Sequence, residues 1–235
     1  NPSIKNLLPD PYNLKDMSKG VLRTIKSIEN NEKLSIFGDY DVDGASSTAL
    51  LGNYFKIIGM KFEIYIPDRK NEGYGPSINS FDKLISSGSK LIFTVDCGTL
   101  SFKPIDHANS KSVDVIVLDH HQSEVKLPNA NSLINPNRLD DESNLNYLCA
   151  AGVTFMFLVA LNSKLREMDW FKKNNINEPN LINFLDLVSL GTICDVVPLT
   201  GSKRATVKQG LKIIKRRGNI GLKTLIAPCN IESNL

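Results

Sequence analysis

Long apolar stretches are missing from this chain. Among its 235 residues, the longest apolar run without a charge covers positions 148–161. As a helix that run would measure about 21 Å against a hydrocarbon core of about 30 Å, which excludes a transmembrane helix. Cysteine is scarce as well. Cys97, Cys149, Cys194 and Cys229 lie far apart and none forms a CxxC pair. That argues against a disulfide framework or a zinc site and for a reducing compartment, with the cytoplasm as the expected location. The opening Asn1-Pro2-Ser3 has no basic stretch followed by an apolar one, so no signal peptide is visible. Because residue 1 is not Met, the chain is expected to be a processed or excised piece of a longer one. Acidic residues are absent from 196–231, a stretch that carries eight cations, Lys203, Arg204, Lys208, Lys212, Lys215, Arg216, Arg217 and Lys223. The net charge of +3 conceals this local field.

Apolar residues make up 41% of the chain and charged residues 23%. This is ordinary for a folded domain and excludes disordered, collagen-like and low-complexity classes. The length allows one large domain or two small ones. Helical spacing of apolar residues predicts helices over 16–30, 45–58, 77–87 and 103–110. Short β-branched or alternating runs predict strands over 34–37, 61–66, 91–95 and 113–118. Strand–helix alternation of this kind argues an α/β fold, a parallel sheet flanked by helices. From residue 147 onward the pattern is helical, over 147–168, 180–194 and 203–217, with Pro- and Asn-rich linkers at 127–146 and 172–179. The outline is a sheet domain, then a helical layer, then a basic helix.

Ligands of open parallel sheets bind beyond the carboxyl ends of the strands. The first predicted strand runs into Gly38-Asp39-Tyr40-Asp41-Val42-Asp43-Gly44, and the second into Pro67-Asp68-Arg69. The third ends in Asp96-Cys97-Gly98, and the fourth in Asp119-His120-His121. Each has a structural reading beside the chemical one. The three aspartates fit a solvated turn, Asp96 fits a cap for the next helix, and Asp195 fits an exposed helix end. Taken together they fit a centre for hard divalent cations, Mn²⁺ or Mg²⁺, which take carboxylate oxygens and, for Mn²⁺, imidazole. Two such ions sharing a carboxylate would serve phosphoester hydrolysis. An EF-hand is excluded, because Leu50 occupies the position of its twelfth-residue Glu.

Four segments resemble, in order, the motifs of the DHH phosphoesterase superfamily: Gly38 to Gly44, Thr94-Val95-Asp96-Cys97-Gly98, Asp119-His120-His121 and Gly191-Thr192-Ile193-Cys194-Asp195. Further segments resemble its branch of single-strand-specific exonucleases. These are Tyr65-Ile66-Pro67-Asp68-Arg69 with Glu72-Gly73-Tyr74-Gly75, Asn135-Pro136-Asn137-Arg138, Cys149-Ala150-Ala151-Gly152-Val153, and 185–191. The resemblance implies 5′→3′ hydrolysis of single-stranded DNA in recombination and repair, with two Mn²⁺ or Mg²⁺ ions. It implies Asp41 and Asp43 as ligands of one ion, Asp96 as the shared carboxylate, and His120 and Asp195 as ligands of the other. His121 would face the metals or the phosphate, Arg69 would contact phosphate, and Asp39 and Asp119 would orient their neighbours. Single-stranded DNA is the implied partner, with a helicase and a single-strand-binding protein as further candidates. The implied domains are a helical lead-in over 1–33, the DHH catalytic domain over 34–200, and a basic connecting helix over 201–235 leading toward a further domain. Lys208, Lys212, Lys215 and Arg216 would share a face of that helix, suited to a phosphate backbone or simply solvated. Tyr40, Tyr74 and Phe81 fit either base stacking or core packing. The alternatives within the superfamily are a phosphoesterase of short oligonucleotides, cyclic dinucleotides or pyrophosphate, and a non-catalytic scaffold. Phe37 stands where the pyrophosphatases carry a histidine.

Overall fold

The computed structural model describes residues 8–197 and 201–227, excepting the side chains of residues 201–204. Cys229, both ends of the chain, and the side chains of Lys203 and Arg204 lie outside the described residues. Five strands, β1 (Leu34–Gly38), β2 (Phe62–Tyr65), β3 (Leu91–Val95), β4 (Asp114–Leu118) and β5 (Ser132–Ile134), form one sheet in the order β2-β1-β3-β4-β5. Every pairing is parallel, with Leu34 opposite both Phe62 and Leu91, and Leu91 opposite Asp114.

The strand period of two sorts the side chains into two cores. Leu34, Ile36, Leu91, Phe93, Val95, Ile116, Leu118 and Ile134 face one side. Phe37, Ile92, Val115, Val117 and Leu133 face the other. The first face is covered by α1 (Met17–Glu29), α2 (Val42–Ile57) and α5 (Ala150–Glu167), and α7 (Leu185–Cys194) packs against α2 and α5 in the same core. The second is covered by α3 (Ile78–Ser86) and α4 (Phe102–Ser110), through Phe81, Leu84, Ile105 and Ala108. Phe81 therefore belongs to the core, edge-on to Phe37. A short helix, α6 (Trp170–Lys173), follows α5, and α8 (Gly201–Lys215) packs along α7 before α9 (Ile220–Ile226). No helix among the described residues is long and apolar enough to cross a membrane. The uncharged run at 148–161 instead supplies most of α5, which is apolar on nearly all sides because helices and sheet surround it.

The lead-in helix α1 is part of the main core, through Met17, Val21, Ile25 and Ile28. Helix α2 begins three residues before the expected start, because the Asp41 carboxylate caps it, Oδ1 accepting the Gly44 N–H at 2.8 Å. The predicted helix over 180–194 is divided into a 3-10 turn, Leu181–Phe184, and α7. β5 lies inside a stretch read as linker. It is three residues long and flanked by Pro128 and Pro136, too short for a periodic signal. Arg138 fastens β5 from one side, donating to the Leu133 carbonyl and to Asp16 Oδ2, each at 2.6 Å, while Asp140 accepts from its other nitrogens.

Phe157 on α5 is fully buried and meets Phe93 of β3 edge-on, with ring centroids 5.7 Å apart. Phe157→Ala should destabilise the fold by about 3–5 kcal/mol in equilibrium denaturation. Ile64→Ala on the half-exposed edge of β2 should change stability by less than about 1 kcal/mol.

Candidate metal centre

Chain connections leave β1 toward β2 on one side and β3 toward β4 on the other, so the carboxyl ends of β1 and β3 flank a topological switch point. The turn after β1 brings Asp39, Asp41 and Asp43 there. The end of β3 brings Asp96, the end of β4 brings Asp119, His120 and His121, and the C-terminus of α7 brings Asp195.

Among the described residues, three sets of side chains each present ligand atoms within 4.8 Å of one another: Asp96 with His120 and His121, Asp43 with His120 and Asp195, and Asp39 with Asp41 and Asp96. Asp96 and His120 belong to two sets each. His120 Nε2 stands 3.3 Å from Asp96 Oδ1 and 3.8 Å from Asp43 Oδ2, and its Nδ1 stands 3.8 Å from Asp195 Oδ2. Asp39, Asp41, Asp43, Asp96, His120, His121 and Asp195 thus converge, with Arg69 and Asp119 outside the sets and one difference in grouping. Asp43 sides with His120 and Asp195 rather than with Asp41, and Asp39 shares a set with Asp41 and Asp96.

Asp43 and Asp96 are almost wholly buried, and burial of several carboxyls together raises their proton affinity. Burial, with the carboxylates of Asp43 and Asp41, pushes Asp96 up to about 10. Burial also raises Asp39, Asp43 and Asp195 above the ordinary carboxylate range. The Oδ1 atoms of Asp96 and Asp39 are buried without a hydrogen-bond partner among the described residues. Asp96 itself adopts a left-handed backbone, φ +60°, a conformation that Asp tolerates better than most residues. Crowded carboxylates, orphaned oxygens and a neighbouring imidazole form a donor set that fits a hard divalent cation.

Asp43 has a second attachment. Its Oδ2 accepts the Ala150 N–H at 2.7 Å and its Oδ1 accepts the Ala151 N–H at 2.9 Å. These are the first N–H groups of α5, whose own N-cap residue, Cys149, contributes no side-chain cap. The carboxylate therefore caps α5 from another helix. Gly191 of α7 makes this close approach possible, since a Cβ there would lie 2.5 Å from Asp43 Oδ1 and 2.7 Å from Ala151 Cβ.

The half-exposed His121 has its Nδ1 2.7 Å from Asp119 Oδ1. The same oxygen accepts the His120 N–H at 2.8 Å, and the Thr99 N–H and hydroxyl donate to Asp119 Oδ2 at 3.0 and 2.6 Å. Burial alone would raise Asp119, yet the His121 and Thr99 donors hold it down to about 2. Asp119 is thus an anion, Nδ1 of His121 is the donor, and the imidazolium is stabilised, its proton affinity raised chiefly by that bond. The Tyr74 hydroxyl donates to the Asp96 carbonyl at 3.0 Å and stands 3.3 Å from His121 Nδ1. Arg69, exposed beyond β2, lies over the Tyr40 ring at 5.3 Å.

Sequence reasoning assigned no role to Thr99, Asn135 or Asn137. Asn135, fully buried, donates through Nδ2 to the His121 carbonyl and to Thr99 Oγ1, each at 2.8 Å, and accepts the Asn137 N–H through Oδ1 at 2.8 Å. Asn137 Nδ2 donates to the His120 carbonyl. The two amides hold the backbone of both histidines. Their only signal was the Asn135-Pro136-Asn137-Arg138 segment at the end of a strand too short to recognise.

Residues 33–192 match the model of the DHH family, N-terminal domain, and the chain belongs to that family. It is 37% identical over 233 residues to the single-stranded-DNA-specific exonuclease RecJ of Escherichia coli strain K12, covering 98% of this chain and 40% of that protein. It is 33% identical over 217 residues to RecJ of Bacillus subtilis strain 168, covering 92% of this chain and 26% of that protein. The chain thus spans two fifths or less of the length of these curated relatives. A crystal structure of exonuclease RecJ bound to manganese superposes with a TM-score of 0.78 at 30% identity, over 97% of this chain and 54% of that one. RecJ from Thermus thermophilus in complex with Mn²⁺ gives 0.74 at 27% identity, over 97% and 31%.

Asp119→Asn removes the anion that stabilises the His121 imidazolium, so the His121 pKa should fall toward the ordinary value near 6.5, as read by NMR titration of the metal-free chain. Asn135→Ala should weaken Mn²⁺ binding about 10–100-fold in calorimetry, since the histidine backbone loses its anchor.

Proposed function

We propose that this chain carries the catalytic centre of a metal-dependent exonuclease that hydrolyses phosphodiester bonds of single-stranded DNA in the 5′→3′ direction, with two Mn²⁺ or Mg²⁺ ions. The observation that carries the reading is the meeting of Asp96, Asp43, His120 and Asp195, drawn from four separate elements, around orphaned carboxylate oxygen. The relatives named above act on single-stranded DNA, and solved ones bind manganese. The 5′→3′ direction rests on the resemblance of the motifs.

In this reading Asp39, Asp41 and Asp96 would hold one ion, and Asp43, His120 and Asp195 the other, with Asp96 close to both. Such ions lower the pKa of a water and neutralise charge on the attacked phosphate. His121 works from the side. Asp119 keeps a proton on Nδ1 and favours the imidazolium, so Nε2 can hold or release a proton toward a phosphate oxygen. Arg69, its guanidinium steadied on Tyr40, supplies a cation for the same phosphate. Tyr74 fixes the Asp96 backbone from the rim. Lys208, Lys212 and Lys215 on α8 and Arg216 just after it are exposed and would attract the nucleic-acid backbone. Residues 34–200 would be the catalytic unit, and a helicase and a single-strand-binding protein would be its partners in repair.

The test is degradation of an end-labelled single-stranded oligonucleotide with Mn²⁺. Asp96→Ala should lower the rate by more than about a hundredfold, as should a chelator, with the circular dichroism of the variant unchanged. Retained turnover in Asp96→Ala would refute the reading.

A further inference from the structure

Beside the metal centre lies a cleft of about 840 Å³ that shares Asp119 and His121 with it. The rest of its wall is mostly apolar, built from Tyr74, Pro76, Leu100, Phe102 and Pro104. Leu100 and Tyr74 are each about half exposed, at 49% and 54%, and neither they nor Phe102 packs into either core. Solvent-facing aliphatic and aromatic side chains are unexpected at the edge of a centre made of carboxylates and imidazoles, and such groupings mark binding surfaces. Two cations flank them. Lys103 lines the cleft, and Lys126 Nζ lies 5.8 Å from the centre of the Phe102 ring. A flat apolar ligand bearing negative charge matches this surface.

We infer that the cleft is a nucleobase subsite, in which Leu100 and Phe102 receive the base of the nucleotide whose phosphate lies at the His121 side of the centre. The inference rests on the proposed nuclease reading for the identity of the ligand. Its geometry is independent of the cations. Residues 98–102 leave β3 directly after Asp96, so the apolar pair and the carboxylate are positioned by one short turn. Gly98 permits that turn, with φ +112° and Thr94 Oγ1 only 2.4 Å from where its Cβ would sit. Lys103 and Lys126 would neutralise the adjoining phosphates. Because stacking tolerates every base, the subsite would favour the presence of a base over its identity.

The experiment compares oligothymidylates that carry an abasic tetrahydrofuran at one terminal position, at either end in turn, with the unmodified strand. Kd is read by fluorescence anisotropy on phosphorothioate strands, and turnover on phosphodiester strands with Mn²⁺. The unmodified chain should bind the strand abasic at one end on the order of tenfold more weakly. Leu100→Ala combined with Phe102→Ala should bind all strands at the weaker level, and Phe102→Trp should restore the discrimination. Equal binding of all strands by the unmodified chain, or persistent discrimination in the double variant, overturns the subsite. Discrimination in Kd with no turnover of any strand leaves the subsite standing and removes the nuclease reading. Turnover without discrimination does the reverse.

Discussion

Asp43 is a carboxylate almost without solvent, and a buried anion is tolerable only where donors and positive charge surround it. Here the first two N–H groups of α5 supply both, at the positive end of an eighteen-residue helix. That single carboxylate joins α2, which follows β1, to α5, the central helix of the layer over the sheet. It also fixes where α7 must pass, because only a residue without Cβ fits against it at position 191. The helix that delivers Asp195 is therefore placed by the residue that Asp195 must meet across His120. Stability of the helical layer and geometry of the centre are set by the same contact.

The other half of the site is arranged by neutral amides and one firmly ionised acid. Asp119 receives five donors and remains an anion despite complete burial, while Asp96, with an orphaned oxygen and carboxylate neighbours, is driven toward its neutral form. The two acids occupy equivalent ends of adjacent strands, β4 and β3, yet differ in what surrounds them. Asp119 is satisfied by protein and so can position. Asp96 is left unsatisfied by protein and so can receive a cation. Asn135 and Asn137 extend the arrangement by gripping the carbonyls of the histidine pair, which leaves the imidazoles free for chemistry.

The alternation of strands and helices was legible because β1, β3 and β4 are nearly continuous apolar runs, interrupted only by Ser35, Thr94 and Asp114, as strands buried on both faces tend to be. The convergence of Asp39, Asp41, Asp43, Asp96, His120 and His121 followed from their placement after strands that share one direction. Asp195 was visible as the acid ending an apolar helix, and only its motif favoured a ligand over an exposed terminus, since no periodicity shows where a helix end will point. What sequence could not show was partnership across space. Asp41 and Asp43 look alike as neighbours in a turn, but one caps its own helix and the other caps a helix more than a hundred residues away. Likewise, β5 gave no periodic signal, because three residues cannot establish a period, and the asparagines behind it showed only as a motif segment without a role, because an amide that binds a backbone carbonyl leaves no trace in composition.

A centre built this way holds unfavourable terms that the surrounding fold must offset. Asp96 combines a left-handed backbone, near-complete burial and an unpartnered oxygen, each of which costs about 1–3 kcal/mol in isolation. Local preference does not explain such a residue, whereas the cooperative interior on both sides of β3 does. Val95 is locked in one core and Cys97 in the other, so the strand end between them cannot relax away from its conformation. The Tyr74 hydroxyl adds a further hold, donating to the Asp96 carbonyl rather than to the side chain. The carboxyl is thereby kept in position with an oxygen unsatisfied and its proton held by burial and acidic neighbours, so a divalent cation would take the place of that proton and supply the positive charge the site lacks.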